Sequence, residues 1–264
     1  MKRIHSLRSQ FSKTSRVLLS ATLILLLLAL VAGCGAVGAE PAQKQAIAAD
    51  TKPGGNVFEV VKETYTDRSI SINYPQIRKM NDVEKQHRLN RILKEDALSV
   101  LKDYSASELE KLTVKLDYVI GRQNSGLLSV QFTGSRFLKG TPYPTALFQS
   151  INLEMRAGRK LRLQDSVQVN DRFVEAMKKG RMTAAKNVTI EKLRMDDVQL
   201  LKTFGQADST VSSENPERAF SYFTKDGMGI SFSVIHAMGD HVAFELPMTD
   251  LSTFIKPEKA NVIK

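Results

Sequence analysis

Residues 81–132 read NDVEKQHRLNRILKEDALSVLKDYSASELEKLTVKLDYVIGRQNSGLLSVQF, and along them the apolar period changes from near 3.6 to 2. In the first half Val83, Leu89, Ile92, Leu93, Ala97, Val100, Leu101 and Tyr104 recur at helical spacing. Arg88, Arg91, Lys94, Glu95 and Lys102 mostly occupy the other face. Asn81 with Glu84 three residues on predicts a capping box at the head of a helix of about 22 residues. In the second half Val114, Leu116, Tyr118 and Ile120 alternate with Lys115, Asp117 and Val119. Asn124-Ser125-Gly126 turns the chain, and Leu128, Val130 and Phe132 point inward while Ser129 and Gln131 point outward. A long amphipathic helix followed by strands with one covered face is an α+β arrangement.

The flanks extend the pattern. Upstream, Val57 to Thr66 and Ser69 to Tyr74 read as two strands joined at Asp67-Arg68, with Pro75 ending the second. Downstream, Leu147, Ile151, Leu153 and Met155 make a further strand closed by Ala157-Gly158-Arg159. Residues 170–204 read as helical, and a second meander runs from Phe220 through Asp226-Gly227 to Pro247. The fold expected is therefore α+β, with antiparallel β-meanders packed against the long helix and shorter ones. With 264 residues, 42% hydrophobic and 25% charged, the chain is neither collagen-like nor disordered throughout. A single cysteine excludes a disulfide scaffold and a Cys-rich zinc site.

The N-terminus carries an address. Lys2, Arg3, Arg8, Lys13 and Arg16 precede an apolar run from Val17 to Ala32 broken only by Ser20 and Thr22. A basic segment, an apolar segment and small residues at its end describe a secretory signal, and the run is a little short for a membrane span. It ends in Val31-Ala32-Gly33-Cys34, which resembles the lipobox of bacterial lipoproteins, where the cysteine is diacylated and becomes the mature N-terminus. The other reading is a plain anchor with an incidental cysteine. The chain is thus divided into a signal peptide at 1–33, a lipidated cysteine and flexible tether at 34–56, an N-terminal α+β half at 57–155, a C-terminal half at 156–257 and a tail at 258–264. Those five leading cations account for half of the formal charge of +10.

Three stretches together resemble one exported family: SISINYPQI at 69–77, GTPYPTALFQSINLEMRAGRKLRLQDSV at 140–167, and FSYFTKDGMGISFSVIHAMGDHVAFELPMTDL at 220–251. The chain is similar over 57–256 to the RsiV-like domain, known as the ectodomain of a lysozyme-sensing anti-sigma factor, as a non-catalytic region of some polysaccharide deacetylases, and as free lipoproteins. The resemblance implies an architecture, since its motifs are strands and turns rather than catalytic groups. It departs from the anti-sigma factor in having only about 16 basic-rich residues before the apolar run.

Candidate chemistry is sparse. His236, Asp240 and His241 have zinc-ligand chemistry but lie across a turn with no third histidine nearby, and the alternative is a polar hairpin tip. Glu95-Asp96 and Asp196-Asp197 are adjacent carboxylates, which on a helix diverge rather than face a common substrate. No Gly-x-Ser-x-Gly is present. No catalytic residue, metal or cofactor is therefore expected. Charge is more telling, because residues 156–194 hold 11 basic and four acidic side chains. Arg156, Arg159, Lys160, Arg162, Lys178, Lys179 and Arg181 are the candidate polyanion-binding set, with solvated helix faces as the alternative. Taken together, the expectation is an extracytoplasmic lipoprotein held to the bacterial cell membrane through Cys34 and acting as a non-catalytic binding or sensory module. Its partner would be a cell-wall polymer or a lysozyme-like protein, and not nucleic acid. A net positive domain gains no long-range steering toward a basic lysozyme. The rival expectation is a hydrolase of cell-wall glycan or peptide.

Overall fold

The computed structural model describes residues 58–182 and 190–264; Cys34, the signal peptide and the tether lie outside them. Strands β1 (Glu59–Asp67) and β2 (Ile70–Arg78) form an antiparallel hairpin turned at Arg68 and Ser69, with Arg68 in the left-handed region at φ 50°. β2 continues past Pro75, which pairs with Lys62, instead of stopping there as expected. The reason is that strand β3 (Leu112–Gln123) pairs only with Ile70–Ile72 of β2, so at Pro75 the ladder has a partner on one side alone.

Helix α1 (Val83–Ala97) follows, extended by a 3-10 turn over Leu98–Leu101. Asp82 caps it in place of Asn81, its carboxylate accepting from Lys85 N at 2.9 Å. After the short α2 (Ala106–Leu109) the chain returns as β3, and this crossover makes β2 and β3 parallel. Antiparallel β4 (Leu127–Leu138), β5 (Thr145–Glu154) and the two-residue β6 (Arg159–Lys160) complete a six-stranded sheet in sequence order. One face of it packs on α1, burying Leu89, Leu93 and Ala97 against Ile72, Val130, Phe132, Ile151 and Leu153.

The remainder builds a second core. Short helices α3 (Leu163–Ser166), α4 (Asp171–Lys178) and α5 (Asp197–Gln206) cover a sheet ordered β7-β10-β9-β8. Its strands are β7 (Arg181–Met182), β8 (Phe220–Phe223), β9 (Gly227–Ser233) and β10 (His241–Pro247). Within 170–204, expected to be helical in two stretches, α4 and α5 are helices and Ile190–Leu193 is a 3-10 turn, while Arg181–Met182 is a strand and 183–189 lie outside the described residues. Phe173 meets Phe204 and Phe254 edge-on at centroid distances of 5.5 and 5.4 Å. After α6 (Met248–Leu251), residues 258–264 are more than a tail: α7 (Ala260–Ile263) buries Val262 and Ile263 in this second core.

The outward face expected of β4 and β5 is also covered. Ser129, Ser150 and Asn152 are buried, because β8 lies across them and supplies hydrogen bonds. The approach is close. A Cβ on Gly121, beside the irregularity in the β3–β4 register, would sit 2.2 Å from the Phe223 carbonyl oxygen. Gly121→Ala is expected to destabilise the domain by about 1–3 kcal/mol, the range for forced overpacking. Gly205, in α5 with no atom within 4 Å of its would-be Cβ, serves as the contrast, and Gly205→Ala is expected to stabilise by up to about 1 kcal/mol. Denaturant midpoints of the two variants check both signs.

Candidate functional site

Arg159 and Lys160 are neighbours in β6 and therefore point to opposite faces of the sheet. Arg159 Nη2 lies 3.2 Å from Glu154, whereas Lys160 turns toward α1 and pairs with Asp96. Arg162 Nη2 is 3.3 Å from Glu214. Lys178 pairs with Glu175 at 3.0 Å and with Asp197. Arg156 and Lys179 are exposed on different elements, and the Arg181 side chain lies outside the described residues. The structure thus disperses the candidate set and gives four of its members carboxylate partners.

The buried carboxylates hold the architecture. Asp96 is 2% exposed, and burial pushes its carboxyl above the usual range while Lys160 opposes the shift. Asp208 accepts from Ser221 N at 2.6 Å, Ser221 Oγ at 2.7 Å and Leu163 N at 2.7 Å. Desolvation outweighs those donors and lifts its pKa to about 6. Ser221 in turn accepts from Ser150 Oγ at 2.6 Å and Asn152 Nδ2 at 2.9 Å through its carbonyl.

The histidines divide in the same way. His236 Nδ1 lies 3.0 Å from Asp240 Oδ1, and Asp240 Oδ2 accepts from Ala146 N at 2.7 Å. Tyr143 stacks on His236 with centroids 3.9 Å apart. These contacts clamp the tip between β9 and β10 onto the loop before β5. His241 instead packs beside Phe148, where burial lowers its pKa. Among the described residues no three His, Cys, Asp or Glu side chains gather as metal ligands.

Two clefts remain. One of about 610 Å³ lies between α4 and the β10–α6 corner, and its rim is mixed: Arg172 and Lys179 face Asp171, Glu175 and Asp250. The other, about 440 Å³, is a polar groove between β2 and α1. Asn90 fastens its walls together, Oδ1 accepting from Ile77 N at 2.6 Å and Nδ2 donating to Ile77 O at 2.9 Å. Gln76 Nε2 donates to Asn90 O at 3.2 Å, and Gln86 Oε1 accepts from Met80 N at 3.0 Å. Arg78 reaches Glu63 of the neighbouring strand β1 at 3.1 Å along the groove floor. Arg91 and Lys94 line it exposed and without an ion pair among the described residues. Sequence reading assigned them only to the polar side of a helix; the signal on offer was three cations, Arg88, Arg91 and Lys94, at three-residue steps.

No protein-family profile matches the sequence, and no curated protein matches it. Among solved structures, its neighbours are DUF3298-family proteins. One, from Bacteroides fragilis, is 16% identical, with 78% of this chain and 97% of that chain covered at a TM-score of 0.48. Another, from Pseudomonas aeruginosa, is 14% identical, with 78% and 96% covered at a TM-score of 0.45. Among the described residues no helix is long and apolar enough to cross a membrane.

The carboxylate of Asp208, held by Ser221 and Leu163, has a measurable signature. Its folded-state pKa of about 6 lies above the ordinary 3.8, so proton binding favours the folded state. That contribution is complete below about pH 4 and is lost as pH rises through about 6. Asp208→Asn removes the titration. Its stability deficit against wild type, followed by thermal melts from pH 4 to 7, is expected to shrink as pH rises; a constant gap would contradict the assignment.

Proposed function

We propose that the chain is a lipoprotein anchored through Cys34 outside the bacterial cytoplasmic membrane, with its α+β domain serving as a non-catalytic binding or sensory module. The observation that carries this is the placement of the only cysteine, directly after Val31-Ala32-Gly33 at the end of the apolar run. Diacylation there, with a further chain on the new N-terminus, supplies the two or more acyl anchors that stable attachment needs. Gly35 to Asn56, rich in Ala, Gln and Gly, would link the lipid to the folded domain.

What supports a binding role is the use to which polar groups are put. The carboxylates with catalytic potential hold the fold together: Asp96 pairs with Lys160, Asp208 ties β8 to the start of α3, and Asp240 anchors a loop. The ligand classes that fit are a cell-wall polymer or a protein such as lysozyme.

Cys34→Ser tests the anchor. Wild type is expected to incorporate labelled palmitate and sediment with membranes, and the variant to lose both; equal labelling of the variant would overturn the reading. Calorimetric titration of the detergent-solubilised chain with purified wall fragments, and separately with lysozyme, tests the module. Saturable binding to either supports it, whereas silence from both, or new reducing ends or free amines released from the fragments, counts against it.

A further inference from the structure

We infer that the groove between β2 and α1 is a binding site for a linear phosphodiester polymer, laid lengthwise along it. The inference rests on the envelope-module reading and gives that module a site and a ligand class.

The groove is elongated because its walls run alongside each other in opposite directions. Tyr74, Gln76 and Arg78 take alternate positions on β2, which at about 3.3 Å per residue spans about 13 Å. Gln86 to Lys94 on α1 covers about 12 Å at about 1.5 Å per residue. The turn between β2 and α1 puts Gln86 beside Met80 near the Arg78 end, and Asn90 is bonded to Ile77 at the middle. Arg91 and Lys94 lie further along, toward the Tyr74 end.

Three cations line this length against one carboxylate, Glu63, which is already held by Arg78. The balance favours an anion, and the spread of charge favours a chain of anions over a single one. With Arg78 held by Glu63, Arg91 offers the planar fork that suits phosphate oxygens, and Lys94 adds a point charge. Desolvation and Glu63 raise the pKa of Tyr74, so its hydroxyl remains a neutral donor. The walls are preorganised, since the Asn90, Gln76 and Gln86 bonds exist before any ligand arrives. The mixed rim of the 610 Å³ cleft, with three carboxylates to two cations, lacks that bias. A bilayer surface is flat and would reach the rim of the groove but not Gln76 at its wall. Tyr74 is the only aromatic ring in the lining, so a nucleic acid would find no row of stacking platforms.

The test is calorimetric titration of the full chain in neutral detergent with poly(glycerol phosphate). Saturable binding that weakens as salt rises is expected. Arg91→Gln/Lys94→Gln is expected to weaken it at least tenfold with an unchanged thermal midpoint. Lys225→Gln, which removes an exposed cation between β8 and β9, is expected to leave affinity within twofold. No binding by wild type, equal loss in both variants, or no loss in the double variant would overturn the assignment. So would equal affinity for oligothymidylate of matched charge, or Arg91- and Lys94-dependent binding to anionic lipid vesicles of comparable strength. Palmitate labelling of Cys34 and binding of whole wall fragments are scored on the same preparations. If those persist while the polymer titration fails, the groove assignment falls and the envelope module stands.

Discussion

Ser221 accepts from Ser150 and Asn152 through its carbonyl, and donates to Asp208 through both its amide and its hydroxyl. Asp208 also accepts from the Leu163 amide, so Ser221 of β8 is bonded directly to the first sheet and to Asp208 after α5, and through Asp208 to the start of α3. Two apolar cores lie on either side of this seam, one under α1 and one under α4 and α5. An apolar seam would let the sheets slide, whereas buried donors and acceptors satisfied only in one register allow a single docking. Nearby, Phe223 N donates to Ser129 Oγ at 2.8 Å, and the absence of a side chain at Gly121 permits the approach. The groove inherits its rigidity from the same frame, because β2 belongs to the sheet that the seam fixes and α1 packs on it.

Much of the architecture was legible from period alone. The helix expected to run about 22 residues is α-helical over 83–97 and passes into a 3-10 turn at 98–101, while the β3–β4–β5 meander and the meander at the C-terminal end stand where alternation placed them. The misreadings share a cause: local pattern records polarity but not the partner. Ser129 alternates with Leu128 and Val130 as a solvent-facing residue would, yet it is buried against β8. Pro75 is a strand-breaker in isolation, and only the short overlap with β3 explains its place inside β2. Asn81 and Asp82 are both good caps, and the winner is decided by which side chain reaches the Lys85 amide.

The charged residues show the same limit more sharply. Counting along 156–194 gathers cations that the fold sends to different faces, and Arg159 and Lys160 part company simply because they are consecutive in a strand. Lys160 and Arg162 take their acids from far along the chain, Asp96 and Glu214. Arg91 and Lys94, by contrast, sit in a stretch of unremarkable net charge and acquire meaning only when β2 is laid beside them. For a surface whose chemistry depends on which cations remain unneutralised, composition is a poor guide and pairing a better one.

The placement of Val262 and Ile263 bears on how such a chain would be made. Both are buried in a core that also contains Leu127, and Asn124 and Gly126 pack against Val262. The first core draws on residues 58–155 and is complete as soon as that length has emerged. The second has to wait for residues synthesised more than 130 positions after Leu127. During emergence there is therefore an interval in which a finished half presents Ser129, Ser150 and Asn152 to water as an ordinary polar surface. Serines and an asparagine tolerate that wait, where leucines at the same positions would be an invitation to aggregate.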